Sequence, residues 1–163
     1  MNRTVALLSL VLSLVACGGR TSPPSLGLEA GVTDHMQRTN AAASFWVDHA
    51  GATQNPFADG RSSVRLAERD TITVDGWAID EPHGNVAAGV EVVIDGTPYR
   101  AKYDIPRGDV ATAKGSPAYT TSGFTVSFPA RGLGRGMHTL ALRIVASDRS
   151  CYYSTPEWSI VIQ

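Results

Sequence analysis

The sequence is short of cysteine, of net charge and of long apolar runs, and each shortage removes a class of protein. Two cysteines in 163 residues are too few for a disulfide-stapled miniprotein or a four-ligand zinc site. Lys+Arg number 14 against 15 Asp+Glu, a formal net charge of −1. That balance supplies no basic face, so no nucleic-acid partner is expected. Aromatics are only 7% of the chain, whereas glycine (16) and proline (9) are plentiful. Such a composition fits a turn-rich globular domain and argues against a disordered or helical-repeat chain. No apolar stretch approaches the roughly 20 residues that a membrane-spanning helix requires.

What is present begins with residues 1–16, MNRTVALLSLVLSLVA. Arg3 precedes an apolar stretch of 12 residues, Val5–Ala16, broken only by Ser9 and Ser13. Its size and flanks are those of the hydrophobic region of an export signal. It ends in Leu14-Val15-Ala16-Cys17, followed by Gly18-Gly19. This resembles the lipobox of bacterial lipoproteins, in which the cysteine is acylated and cleavage falls just before it. The resemblance implies cleavage between Ala16 and Cys17, lipid attachment at Cys17 and a mature protein held to a membrane face by acyl chains. Two or more chains give stable anchoring, at about 0.8 kcal/mol per buried CH₂. Gly18 stands where an aspartate tends to retain lipoproteins at the inner membrane, which favours the outer membrane of a Gram-negative cell.

Residues 17–41 are rich in Gly, Ser, Thr and Pro, and their apolar residues keep no sustained period. They are expected to form the acylated cysteine and a flexible linker. Residues 42–163 read as one all-β domain. Val90, Val92 and Ile94 share a face and run into Asp95-Gly96, a hairpin signal. Phe124, Val126 and Phe128 alternate until Pro129 stops them, and Leu140, Leu142, Ile144 and Ala146 form a longer set. Further strands are expected around Phe45–His49, Val64–Leu66, Ile72–Ile79, Tyr99–Tyr103 and Trp158–Ile162, with a bulge at Gly76. About eight such strands suit an antiparallel β-sandwich of immunoglobulin-like architecture.

Gly76-Trp77-Ala78-Ile79-Asp80, Val90–Gly96, Arg107–Val110, Ser122-Gly123-Phe124 and Gly136–Leu140 follow one another in order. Together they resemble a "GWA-D" type of immunoglobulin-like sandwich of bacterial envelope and secreted proteins, some appended to carbohydrate-active enzymes. The resemblance covers about residues 70–147, departs from the pattern where Gly108 replaces a proline, and implies a fold without catalytic residues.

Candidate chemistry is sparse. Asp80-Glu81-Pro82-His83 places three ionisable groups in four residues, but without a calcium-loop pattern it reads as a polar turn. No Gly-x-Ser-x-Gly elbow, Ser-x-x-Lys pair or His-Glu-x-x-His helix occurs, so no catalytic residue, metal or cofactor is assigned. Cys151 is left as a lone thiol once Cys17 is acylated. Arg107-Gly108-Asp109 spells a tripeptide that some host-cell receptors read, and it also reads as a loop with Asp109 capping a turn at Val110–Ala113. The tryptophans are expected in the core, while Tyr119, Tyr152 and Tyr153 lie near expected loops and are the candidate ligand-binding residues.

The sequence therefore predicts a membrane-anchored envelope lipoprotein whose non-catalytic domain binds or positions an envelope protein or glycan. The alternatives are a carbohydrate-binding module on cell-wall or surface glycan, and a small envelope hydrolase using Asp80, Glu81 or His83.

Overall fold

A computed structural model describes residues 25–42, 44–58 and 63–163. The export signal 1–16 and the acylation site Cys17 lie outside the described residues. Thirteen strands and one α-helix are assigned among those described.

The first sheet has the order β3 (Thr53–Gln54), β2 (Ser44–Ala50), β5 (Thr71–Asp80), β10 (Gly123–Pro129) and β9 (Lys102–Ile105), with β6 (Asn85–Val86) pairing the end of β5. The second is organised around β11 (Gly136–Val145). One edge of β11 pairs with β7 (Gly89–Ile94), which in turn pairs with β8 (Thr97–Arg100). The other edge is shared: β13 (Trp158–Ile162) takes residues 136–140 and β12 (Cys151–Ser154) takes residues 143–145. Thr155, between β12 and β13, accepts the Leu142 N–H on its hydroxyl and donates its own N–H to the Leu142 carbonyl. Two parallel pairs complete this sheet, β4 (Ser63–Leu66) on β13 and β1 (Gln37–Arg38) on β12.

Period-2 alternation explains why the sheets face each other. Ile72 and Val74 of β5 and Phe124 and Phe128 of β10 join one buried cluster with Val92, Leu140, Leu142 and Ile160 of the other sheet. Phe124 and Phe128 are each only 1% exposed, and burying such a ring contributes about 1.5–3 kcal/mol. The alternating sets of β7, β10, β11 and β13 thus lie inward as their sequences predict.

Three local expectations give way. First, the extra residue near Gly76 is on the partner strand: Val47 pairs with Gly76 and His49 with Asp75, leaving Asp48 bulged. Gly76 is required there because a Cβ would stand 2.0 Å from the Trp46 carbonyl oxygen. Second, the expected strand Tyr99–Tyr103 divides at Ala101, β8 staying in one sheet and β9 crossing to the other. Third, the chain is folded from Ser25 onward, so the expected linker 17–41 is not a linker over residues 25–38. Leu26 and Leu28 pack against the core, Glu29 and Gly31 bond along β8, and Gln37–Arg38 pairs with β12. Between these, Val32 and Thr33 donate their N–H groups to the Glu91 carboxylate, as does the Thr33 hydroxyl. Arg143 donates to Thr33 Oγ1 and Asp34. Glu91 and Arg143 are cross-strand neighbours on the outer face of β7 and β11, and the strap leaves Glu91 only 2% exposed. Scattered polar anchors, not an apolar period, hold this segment.

Candidate functional site

The outer face of the first sheet carries an open cleft of about 430 Å³. Its floor is β5 and β10 at Asp75-Gly76 and Gly123–Thr125; its walls are Asp48-His49, Gln54-Asn55 and Arg107. The bulge at Asp48 restores the alternation one residue late, so His49 lies opposite Asp75 on the outer face while Ala50 is fully buried. His49 Nδ1 is 2.7 Å from Asp75 Oδ1, with the two side chains 43% and 35% exposed.

Arg107 braces the wall. Its Nη1 donates to Asp48 Oδ2 at 2.6 Å, while Nε and Nη2 donate to the two oxygens of Asp109 at 2.9 and 2.7 Å. The bidentate bonds from Arg107 hold the Asp109 carboxyl down at about 2, and Asp109 and Asp48 together raise the guanidinium further above its already high value. Asp109 does not cap α1 (Gly108–Ala113), which has no side-chain cap bond. In the tripeptide Arg107-Gly108-Asp109 the two charged side chains are thus spent on each other and on Asp48.

Beside the cleft stands Trp46, 42% exposed, whose Nε1 donates to Asn55 Oδ1 at 3.1 Å. That bond fixes the ring plane. Trp46 therefore departs from the expected core position, because the pairing of Trp46 with Trp77 puts both outside the sheet. Trp77 is covered by Ile79, Val110 and Tyr119, and Lys114 Nζ lies 5.6 Å from its ring centroid. Trp158 is half-buried and stacks on Phe57 at 4.2 Å between ring centroids.

Two of the three tyrosines proposed as ligand-binding residues are not available to a ligand. Tyr119 is 7% exposed, packed in that covering cluster, and Tyr153 is 2% exposed. Tyr119 ends a single 3-10 turn, Pro117–Tyr119, and Tyr153 belongs to β12, with its ring turned into the core. Tyr152, on the opposite face of β12, is half-buried with the Arg143 guanidinium 5.1 Å from its ring centroid.

The Asp80 turn is a closed network. Asp80 is 0% exposed. Its Oδ1 accepts the Tyr153 hydroxyl at 2.6 Å, and Oδ2 accepts the Ser147 N–H and hydroxyl, each at 2.7 Å. His83 Nδ1 lies 2.7 Å from the same Oδ2. Burial alone would raise this carboxyl; the bonds from Tyr153, Ser147 and His83 outweigh it and hold the group below its ordinary value. Burial and the Asp80 charge together push the Tyr153 hydroxyl up. Ser147 spends its hydroxyl on the carboxylate itself, so Asp80, His83 and Ser147 do not form a nucleophile–base relay. Glu81, meanwhile, pairs with Lys114 at 3.0 Å.

Among the described residues no group of three or more His, Cys, Asp or Glu side chains is disposed to hold a metal ion. Cys151 is a free, half-buried thiol. The cleft presents a carboxylate–imidazole pair, two amides and a braced guanidinium beside an indole. Comparison of the chain with protein-family profiles, with curated proteins and with solved structures finds no match.

Proposed function

We propose that the protein is a membrane-anchored envelope lipoprotein whose immunoglobulin-like domain, without catalysis of its own, binds or positions another envelope component. The observation that carries this is Leu14-Val15-Ala16-Cys17 at the end of a 12-residue apolar stretch. The immunoglobulin-like assignment is supported by strand order: β2–β5–β10–β9 in one sheet against β4–β13–β11–β7–β8 in the other, with β4 running parallel to β13. The cleft beside Trp46 is the recognition surface in this reading.

Metabolic labelling with a fatty-acid probe, followed by fractionation, tests the anchor. The wild-type protein takes up label and partitions with membranes, whereas Cys17→Ser is unlabelled and leaves that fraction. Label on Cys17→Ser would refute the reading.

One observation favours a glycan as the bound component. The exposed Trp46 ring, held in plane by Asn55, lies beside the carboxylates and amides that pair with sugar hydroxyls. On a glycan array the wild-type protein is retained and Trp46→Ala and Asp75→Ala are not. A blank array removes the glycan and leaves a protein partner.

A further inference from the structure

Anchoring at Cys17 determines which end of the domain meets the membrane. Seven residues, 18–24, separate Cys17 from Ser25, and the eight steps between them reach at most about 29 Å when fully extended. The folded chain starts against the β10–β11 loop: a Cβ on Gly132 would come within 2.7 Å of Leu26 Cδ2. The same end of the domain holds the β4–β5 turn and the last residue of β13, since Pro129 pairs with Thr71, Gly136 with Ile162, and Glu68 N–H bonds to the Gln163 carbonyl.

Four arginines gather at this end, although the chain as a whole has a net charge of −1. Arg69, Arg131 and Arg135 share a shallow depression of about 380 Å³ with Glu68. Arg69 and Arg131 are exposed, and the Arg135 side chain is 73% exposed. Arg65 is exposed on the neighbouring strand. Three acidic groups lie among them: Glu68 accepts from Arg135 at 2.9 Å, Asp70 accepts the Ala67 N–H at 2.8 Å, and Asp95 pairs with His138 beside Gly134; the arginines outnumber them by one. Met137, 72% exposed, projects from the first residues of β11 beside them.

We propose that this end of the domain docks on an anionic lipid surface, the membrane that holds Cys17. Arg69, Arg131 and Arg135 meet the headgroups, and Met137 reaches the apolar edge of the interface. The proposal rests on the lipoprotein reading, which supplies the tether. Its physical basis is that a tether of at most about 29 Å lets the arginines reach the anionic leaflet, which attracts them within a Debye length, about 8 Å at 0.15 M ionic strength and about 3 Å at 1 M.

The test uses the acylated chain purified from membranes and placed in vesicles of phosphatidylcholine alone or with 30% phosphatidylglycerol. Hydrogen exchange is read at residues 67–70 and 131–137 and at the Glu81–Gly84 turn beyond the opposite end of β5. Exchange at the first two segments is expected to slow at least fivefold on the anionic vesicles, to recover in 1 M salt, and to stay unchanged at the turn. The combined Arg69→Ser, Arg131→Ser, Arg135→Ser variant should lose that protection, as should Met137→Ser in part. Equal exchange on both vesicles, or protection at the Glu81–Gly84 turn instead, would overturn the docking while leaving the anchor intact. Absence of acyl mass on Cys17 would overturn both.

Discussion

Removing the Asp80 carboxylate should cost more than any other single polar change in the domain. Asp80 is wholly buried and accepts four hydrogen bonds, from the Tyr153 hydroxyl, the Ser147 N–H and hydroxyl, and His83. In Asp80→Ala the Ser147 hydroxyl and His83 can turn toward water. The Tyr153 hydroxyl, on a residue 2% exposed, and the Ser147 N–H cannot. Each orphaned donor costs about 1–3 kcal/mol, so the expected loss is roughly 4 kcal/mol. That is a large part of the 5–15 kcal/mol typical of a domain. Tyr153→Phe removes a single bond to a charged acceptor and should cost about 1.5–3 kcal/mol. Urea unfolding followed by tryptophan fluorescence at pH 7 measures both. The acid limb adds a second reading. The folded carboxyl lies below its ordinary value of 3.8, so its contribution is complete above the unfolded value and drains away as pH falls through the folded one. Asp80→Asn should therefore flatten the loss of stability below about pH 4. It will not abolish that loss, because Glu81, Asp95 and Asp109 are lowered as well. A cost under about 1 kcal/mol for Asp80→Ala, or an unchanged acid limb in Asp80→Asn, would refute the network as described.

Other changes test other parts of the molecule. Gly76→Ala places a Cβ 2.0 Å from the Trp46 carbonyl oxygen, so it should prise β2 from β5, cost above about 3 kcal/mol and reduce soluble yield; urea midpoints check it. Glu91→Ala removes the acceptor for Val32 and Thr33, and amide exchange across residues 30–38 should accelerate at least tenfold while β7 and β11 stay protected. Trp46→Ala, at a position 42% exposed, should leave the unfolding midpoint nearly unchanged, which separates its binding defect from misfolding.

The inward sets of β7, β10, β11 and β13 were legible because alternation on a half-buried strand has one physical cause. The Asp95-Gly96 hairpin was legible as well: it lies between β7 and β8 with Asp95 and Gly96 at φ 48° and 80°. What escaped were features fixed by contacts distant in sequence. The cleft depends on a one-residue slip at Asp48, opposite a glycine 28 positions further along the chain; without that slip His49 would face the core with Val47. The strap looked like a linker because Thr33 and Arg38 hold it through Glu91, Arg143 and β12, not through an apolar stripe. Tyr153 looked like a loop aromatic because β12 is only four residues long. Its partner Asp80 is 73 residues away, and neither neighbourhood signals the other. The outward polar positions His49 and Asp75, with Trp46 beside them, were the available signal for the cleft once the slip is placed.

If the chain is anchored at Cys17 as proposed, the strap also sets how the domain answers a pull. Tension would then enter at Ser25 and meet the strap's contacts one after another: Leu26 on Gly132, then Glu29 and Gly31 on β8, then Glu91, then Gln37–Arg38 on β12. Bonds loaded in sequence yield singly at low force, whereas strands sheared side by side resist together. Each residue peeled from the surface lengthens the leash by about 3.4 Å. Release as far as Arg38 would add roughly 45 Å, more than doubling the reach of the proposed leash, at the cost of β1 alone while the first sheet and the other six strands of the second stay paired. In that reading the segment is a reel, with Glu91 and Arg143 as its catch.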